Sequence, residues 1–443
     1  MVYNKFFIIY ISLFNIIISL KLNVNKNHIN KNQLLKIHSL NNKFLSNKSS
    51  IRSLIYLPIE KYEISLYTIK IKIGEQKQEF SLILDSGSSY IWAYDNDCTS
   101  CKSKNKFNST NSKTLIRSEK TIKLNYISGN IKGNLCQDTL YYEQSLNKSI
   151  KSFYFLLVDE SNLDFELDGI IGLSKGSFDK KYSFLYQLKD KKLIKNSLLL
   201  YDLFNKSFYI DEIPQFYLQQ KSISCELKND NSNFWKCDIN FIKIDNIPIS
   251  METEIIFDSG TNGIIFPLKY KNILENIIKN NKVLKKNKCE LQGYENDNIY
   301  EIICNQTLKY DDVNSTDNFL EIYLDKGQNN SIEIKLTDLL VEDNKAFYLF
   351  IIKRKSEILL GSPFFEKYPV LFDLDENIVN IFGTGNNLYK YRNYKEEKVK
   401  KIKIIIIIVI SVLIILILVR IRCIYRRRNS NYNQVEFLVG EIK

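Results

Sequence analysis

Two short runs in this chain have residue types that can do chemistry together: Asp85-Ser86-Gly87-Ser88 and Asp258-Ser259-Gly260-Thr261. A strand-like apolar stretch leads into each, Phe80 to Leu84 in one case and Ile255 to Phe257 in the other. Another apolar stretch follows each, Tyr90-Ile91-Trp92 and Gly263-Ile264-Ile265-Phe266. One such loop would be an ordinary turn at a strand end. Two of them, one in each half, imply a duplicated unit that brings Asp85 and Asp258 together. Paired carboxylates that share one proton can activate a water molecule.

Histidine narrows the alternatives. The chain has only His28 and His38, both upstream of the first loop. Ser-His-Asp and Cys-His nucleophile systems need a histidine base beside the nucleophile. Zinc sites usually need one as a ligand, which leaves all-Cys or carboxylate sites. Carboxylate chemistry is what remains, with no metal and no cofactor required.

The elements that must position these loops need a large core. A chain of 443 residues with 44% hydrophobic content can build one, and two lobes are the natural count. Gly (15) and Pro (6) are scarce beside abundant Ile, Lys and Asn, a bias acting on the whole sequence. The net charge of +12 reads against that bias, because the lysines are scattered. No basic stripe interleaved with aromatics would track a nucleic acid, so none is expected as a partner.

At these residues the chain resembles the pepsin-like aspartic proteases. The run from Phe80 to Trp92 resembles the family's first active-site strand and turn. Leu124 to Gly133, running into Asp138-Thr139, is similar to its flap hairpin. Asp168 to Leu173 and Ile358 to Phe364 resemble the apolar-apolar-Gly strand that threads each lobe beneath its aspartate, and Val370 to Asp373 fits a late C-terminal strand. The resemblance covers residues 58–388 and, with its Gly-Ser-Pro-Phe stretch, extends to the plasmepsins. It implies an all-β dominated, bilobal pepsin-like fold of two related β-lobes with a central active-site cleft, and the apolar run near the end of the chain adds a C-terminal transmembrane helix.

Residue roles follow from the resemblance and the expected geometry. Asp85 and Asp258 are the catalytic pair. Gly87 and Gly260 let the backbone approach the carboxylates without a Cβ clash. Ser86 and Ser259 are implied to bond across the lobe boundary, and Ser88 and Thr261 to support the outer carboxylate oxygens. Tyr126 is the implied flap tyrosine, its hydroxyl directed at the indole of Trp92, with Ser128 and Gly129 beside it at the substrate, and Gly129 and Gly133 suit a hairpin that opens and closes. Three departures stand out. Ser86 replaces a common Thr, and Asn262 replaces a usual Ser. Ser362 stands where strongly acid-acting members have Asp, which implies a working pH shifted up toward mildly acidic.

The ends of the chain suggest a membrane context. Residues 6–20 form an apolar stretch behind Lys5, read as a secretory signal (1–20), with an uncleaved anchor as the alternative. Residues 21–57 are polar and rich in Asn and Lys, an inhibitory pro-segment with a lysine such as Lys36 facing the aspartates, or else a disordered spacer. The lobes are assigned to 58–195 and 196–388, followed by a basic linker at 389–403. The apolar run 404–419, extended by its flanks to a span at 404–421, is short of the roughly 20 residues that cross a bilayer, but flanking Lys and Arg can snorkel. The tail at 422–443 would be cytosolic, giving a single-pass type I protein with a lumenal or extracellular ectodomain. Cys423 suits palmitoylation, and Tyr432 to Val435 fits a sorting signal.

Seven of the eight cysteines fall on the lumenal side, where disulfides persist. Cys98 and Cys101 read as a small disulfide loop, which the family often has at this point with more residues inside; a redox pair or half a zinc site is the alternative. Cys225 and Cys237 bracket a turn-rich stretch and would face each other across a hairpin. Cys289 and Cys304 bracket a polar loop and are expected partners. Cys136 is left over, as a free thiol or a partner of Cys98 or Cys101. Sequons at Asn47, Asn108, Asn147, Asn205, Asn305, Asn314 and Asn329 permit glycosylation in a chain rich in Asn.

Together these features point to a membrane-anchored, monomeric aspartic endopeptidase. Its substrates would be proteins or peptides with hydrophobic residues near the cut. A catalytically silent pepsin-like binding protein at a membrane surface is the alternative, and an adhesive membrane glycoprotein a more distant one.

Overall fold

The computed structural model describes residues 55–383, less short internal stretches such as 144–147, 309–312 and 325–330. The signal, most of the pro-segment, the linker, the span and the tail lie outside the described residues. So do Cys423, the Tyr432 motif and the sequons at Asn47, Asn147, Asn314 and Asn329. Among the described residues no helix is long and apolar enough to cross a membrane.

Strands dominate, and the two halves repeat one plan. In an eight-stranded sheet, Leu66–Ile73 is followed by Gln78–Asp85, Gly169–Gly172, Ile91–Tyr94, Lys148–Ser161, Gly129–Glu143 and Ile116–Tyr126, with Glu60–Glu63 on the outer edge. A seven-stranded sheet runs Lys236–Ile239, Thr253–Phe257, Ile358–Leu360, Ile264–Pro267, Ala346–Ile352, Ile299–Cys304 and Cys289–Tyr294. Apart from the edge strand Glu60–Glu63, these orders match strand for strand. Their pairings also agree: each aspartate-bearing strand lies parallel to an apolar-apolar-Gly strand, which in turn lies antiparallel to the strand after the aspartate loop. This duplication is consistent with a bilobal pepsin-like fold.

A six-stranded sheet underlies both halves, built from Ile55–Pro58, Ser207–Ile210, Leu198–Asp202, Val370–Asp373, Ile378–Phe382 and Ser222–Glu226. Successive side chains of its central strands are buried on opposite faces. Leu199, Tyr201, Phe208 and Ile210 join the main core, while Leu198, Leu200, Tyr209 and Leu371 form a separate cluster on the opposite face. With glycine scarce, polar residues make several left-handed turns. Asp245 and Asn246 both take positive φ (49° and 64°) and close the tight turn between Phe241–Ile244 and Ile247–Ile249.

Three disulfides pair Cys98 with Cys101, Cys225 with Cys237 and Cys289 with Cys304, and Cys136 is a buried free thiol. Cys289 sits directly opposite Cys304 at the base of a hairpin. The hairpin expected around Cys225 and Cys237 does not form. Ser222–Glu226 pairs with Ile378–Phe382 and Lys236–Ile239 with Thr253–Phe257, so this disulfide joins two sheets. The intervening turn residues carry the chain from one sheet to the next rather than back along the same one.

Candidate active site

Each aspartate sits where an apolar strand ends and its backbone is gripped by the neighbouring strand. The Leu173 N–H donates to the Asp85 carbonyl (2.7 Å), and the Asp258 N–H donates to the Leu360 carbonyl (3.0 Å). Beyond the strand ends the loops cross. A Cβ on Gly87 would lie 2.4 Å from Asp258 Cγ, and one on Gly260 would lie 2.5 Å from Asp85 Oδ1. Each glycine therefore packs against the other loop's carboxylate, a contact closed to any residue with a side chain.

The buried hydroxyls of Ser86 and Ser259 lock this crossing reciprocally. The Ser86 N–H donates to Ser259 Oγ (3.0 Å), and the Ser259 N–H donates to Ser86 Oγ (2.9 Å). Ser86 Oγ donates in turn to the Phe257 carbonyl, and Ser259 Oγ to the Leu84 carbonyl, both at 2.8 Å. Four buried polar groups that neither half could satisfy alone are thus satisfied between halves.

Around the carboxylates the loops differ in detail. The Gly87 N–H donates to Asp85 Oδ1 (2.9 Å) and the Gly260 N–H to Asp258 Oδ1 (3.1 Å). Thr261 Oγ1 donates to Asp258 Oδ2 over 2.9 Å. Ser88 Oγ faces both Asp85 and Tyr126 but meets neither with hydrogen-bond geometry. Burial pushes the Asp85 carboxyl up from its ordinary 3.8 to about 7, with the neighbouring Asp258 charge adding to the shift.

The hairpin Ile116–Tyr126 and Gly129–Glu143 brings Tyr126 within electrostatic reach of Asp85, and Trp92 Nε1 donates to the Tyr126 hydroxyl over 2.8 Å. Burial and then the Asp85 charge raise the Tyr126 hydroxyl above its ordinary value, so it stays protonated. Gly129 closes the hairpin turn at φ 147°, and exposed Ile127 and Ser128 form the tip. Gly133 sits at a bulge where a Cβ would meet the Leu157 carbonyl at 2.2 Å.

Two neighbours of the site carry no sequence signal. Tyr201, in an apolar strand, reads as plain core. Its buried hydroxyl faces Ser259, and burial raises it well above its ordinary value. Trp235 is buried and donates its indole N–H to the Leu173 carbonyl (2.8 Å), which ties the second half to the strand beneath Asp85. Among the departures from the family pattern, Asn262 is exposed beside Thr261. The Ser362 hydroxyl is buried with no hydrogen-bond partner among the described residues, while its N–H donates to the Thr261 carbonyl (2.8 Å). No group of metal-ligating side chains gathers among the described residues.

A sequence profile of the eukaryotic aspartyl proteases matches residues 66–382. Plasmepsin I of Plasmodium falciparum is 25% identical over 343 residues, 71% of this chain and 68% of its own length. Vacuolar protease A of Aspergillus fumigatus is 27% identical, with 47% of this chain and 55% of its own length covered. Chymosin of Bos taurus is 26% identical, with 53% and 66% covered.

Proposed function

The chain belongs to the eukaryotic aspartyl protease family and is an aspartic endopeptidase, and on that premise we propose that Asp85 and Asp258 are its catalytic pair. The observation that carries this reading is the reciprocal packing of each loop's glycine on the other loop's carboxylate. Two carboxylates that close cannot both ionise readily, so the pair holds one proton. Its titration belongs to the pair, not to either residue.

The ionised member takes a proton from a water held between the two carboxyls, and that water attacks the scissile carbonyl. The protonated member polarises the carbonyl and stabilises the tetrahedral intermediate. Serines 86 and 259 keep the two carboxyls in register. Thr261 orients the outer oxygen of Asp258. Tyr126, held by Trp92, closes over the bound peptide. The raised Asp85 carboxyl and the absence of a carboxylate at position 362 favour work at mildly acidic pH. A pH–rate profile peaking well below pH 4 would contradict that.

Substrates are proteins or peptides, with hydrophobic residues favoured beside the cut. The enzyme acts as a monomer held at a membrane by residues 404–421, its 58–195 and 196–388 lobes on the lumenal or extracellular side after removal of the signal and pro-segment. The apolar run at 404–419 and the three disulfides support this placement. Peptidase assays of the full chain, with and without pepstatin and beside Asp85→Ala, test the reading. Cleavage abolished by both is expected. Uninhibited cleavage, or none from the unsubstituted chain, would reject it.

A further inference from the structure

The six-stranded sheet has one face turned to the aspartates, where the buried Tyr201 hydroxyl lies within electrostatic reach of Asp85. Its other face carries the separate cluster of Leu198, Leu200, Tyr209, Tyr217, Leu371 and Phe382. Three aromatic side chains on the rim of this cluster are left in solvent. Phe204 is 79% exposed, Phe216 51% and Tyr56 39%. They belong to one surface. The Tyr56 ring meets Tyr209, the Phe216 ring meets Tyr217, and Tyr217 packs on Phe382. Phe204 joins them through its turn, whose Asp202 and Asn205 both bond to Tyr217. Exposed Lys206 adds a cation beside Phe204.

We propose that this outer face of the six-stranded sheet docks on a lipid bilayer, resting on the reading above that residues 404–421 anchor the chain. The strand Ile378–Phe382 is part of the sheet, and the apolar run begins at Ile404, only 22 residues after Phe382. The described chain leaves this sheet at Phe382, itself a member of the outer cluster, so the path to the apolar run starts from this face. Aromatic rings with a cation at their edge are the side chains that settle at the headgroup level. Residues 21–54 offer one aromatic, Phe44, with aliphatics scattered among many Asn and Lys, a poor match for an aromatic rim. Docked this way, the aspartates face away from the lipid, toward peptides arriving from the aqueous side.

The sequon at Asn205 lies inside the same patch. Its side-chain amide donates to the Asp202 carboxylate (2.7 Å), and a glycan there would hold the face off the membrane. Asn205 is therefore expected to be unmodified.

The test uses full-length chain in vesicles of anionic phospholipid with brominated acyl chains. Both native tryptophans, Trp92 and Trp235, are fully buried and give a constant background. Phe204→Trp and Phe216→Trp report on the patch, and Ile116→Trp reports on an exposed strand of the other sheet. An interfacial ring sits ~5–10 Å into the headgroup–acyl boundary, so quenching of the first two by at least about two-fold relative to Ile116→Trp is expected. Equal quenching at all three positions would overturn the proposal. So would reporters at 204 and 216 that are shielded from acrylamide yet unquenched by lipid, since they would mark a protein occupant, either a second copy or residues 21–54. Carbonate extraction separates the two readings. Chain that stays in the membrane without quenching sinks the docking alone, whereas chain that is extracted without quenching sinks the anchor as well. A glycan found on Asn205 would also overturn it.

Discussion

The two aspartate loops share a backbone and differ in what surrounds it. Both receive a backbone N–H on the carboxylate from their own glycine, and both lend a buried serine hydroxyl to the other loop. Only the second loop closes a hydroxyl bond onto its aspartate, from Thr261. Only the first lies under a long hairpin, with strands of 11 and 15 residues ending at Tyr126. The matching hairpin of the second half has two six-residue strands stapled by Cys289 and Cys304. Duplication supplies the symmetric pair of acids. The departures from symmetry give one side a long hairpin near its aspartate and the other a short hairpin closed by a disulfide.

The comparison breaks most sharply at the acids themselves. Asp85→Asn and Asp258→Asn should each lower kcat by about 10²–10⁴-fold or more, and equally, as the proposed sharing of one proton requires. A loss confined to one of them, read from steady-state kinetics, would mean the two carboxylates do not act as a pair. Next come the glycines. Gly87→Ala and Gly260→Ala insert a Cβ 2.4–2.5 Å from the opposite carboxylate. Misplacing a reacting group by about 1 Å can cost about 10²-fold in rate, so both should lose activity on that order while the fold melts cooperatively.

A smaller effect sharpens the difference between the loops. Thr261→Val removes a bond to a carboxylate and should destabilise by roughly 1.5–3 kcal/mol, whereas Ser88→Ala removes no well-formed bond and should shift stability by less than ~0.5 kcal/mol. Denaturant midpoints that rank the two variants in the reverse order would refute the asymmetry. The gentlest probe is pH. Burial and the neighbouring charge raise the carboxyl pair's shared proton, shown at Asp85, so its contribution to stability is complete below the ordinary 3.8 and is lost as pH climbs through about 7. Melting temperature should therefore decline across that window and decline less in Asp85→Asn.

Much of the site can be read from the sequence because its parts are local. Asp-Ser-Gly at a strand end, an apolar-apolar-Gly strand and a glycine-bearing hairpin are each contiguous. The partners that complete it are not. Tyr201 and Trp235 look like core aromatics until folding sets one hydroxyl beside Ser259 and one indole on the Leu173 carbonyl. Cys225 and Cys237 show the same limit: turn residues between two strand-like runs cannot tell a hairpin from a crossover between sheets. Cys136 is settled only by its surroundings, where burial pushes the thiol up to about 11 and leaves it inert.

The residue order alone fixed the acids, the glycines beside them and the alternation of apolar positions that makes strands, because these depend on spacing within a few residues. Only the folded chain decided that Gly87 rests on Asp258 and Gly260 on Asp85, and that one face of the six-stranded sheet keeps its aromatics in solvent. The crossing of the two loops joins residues more than 150 positions apart, and no local preference encodes a distance of that kind.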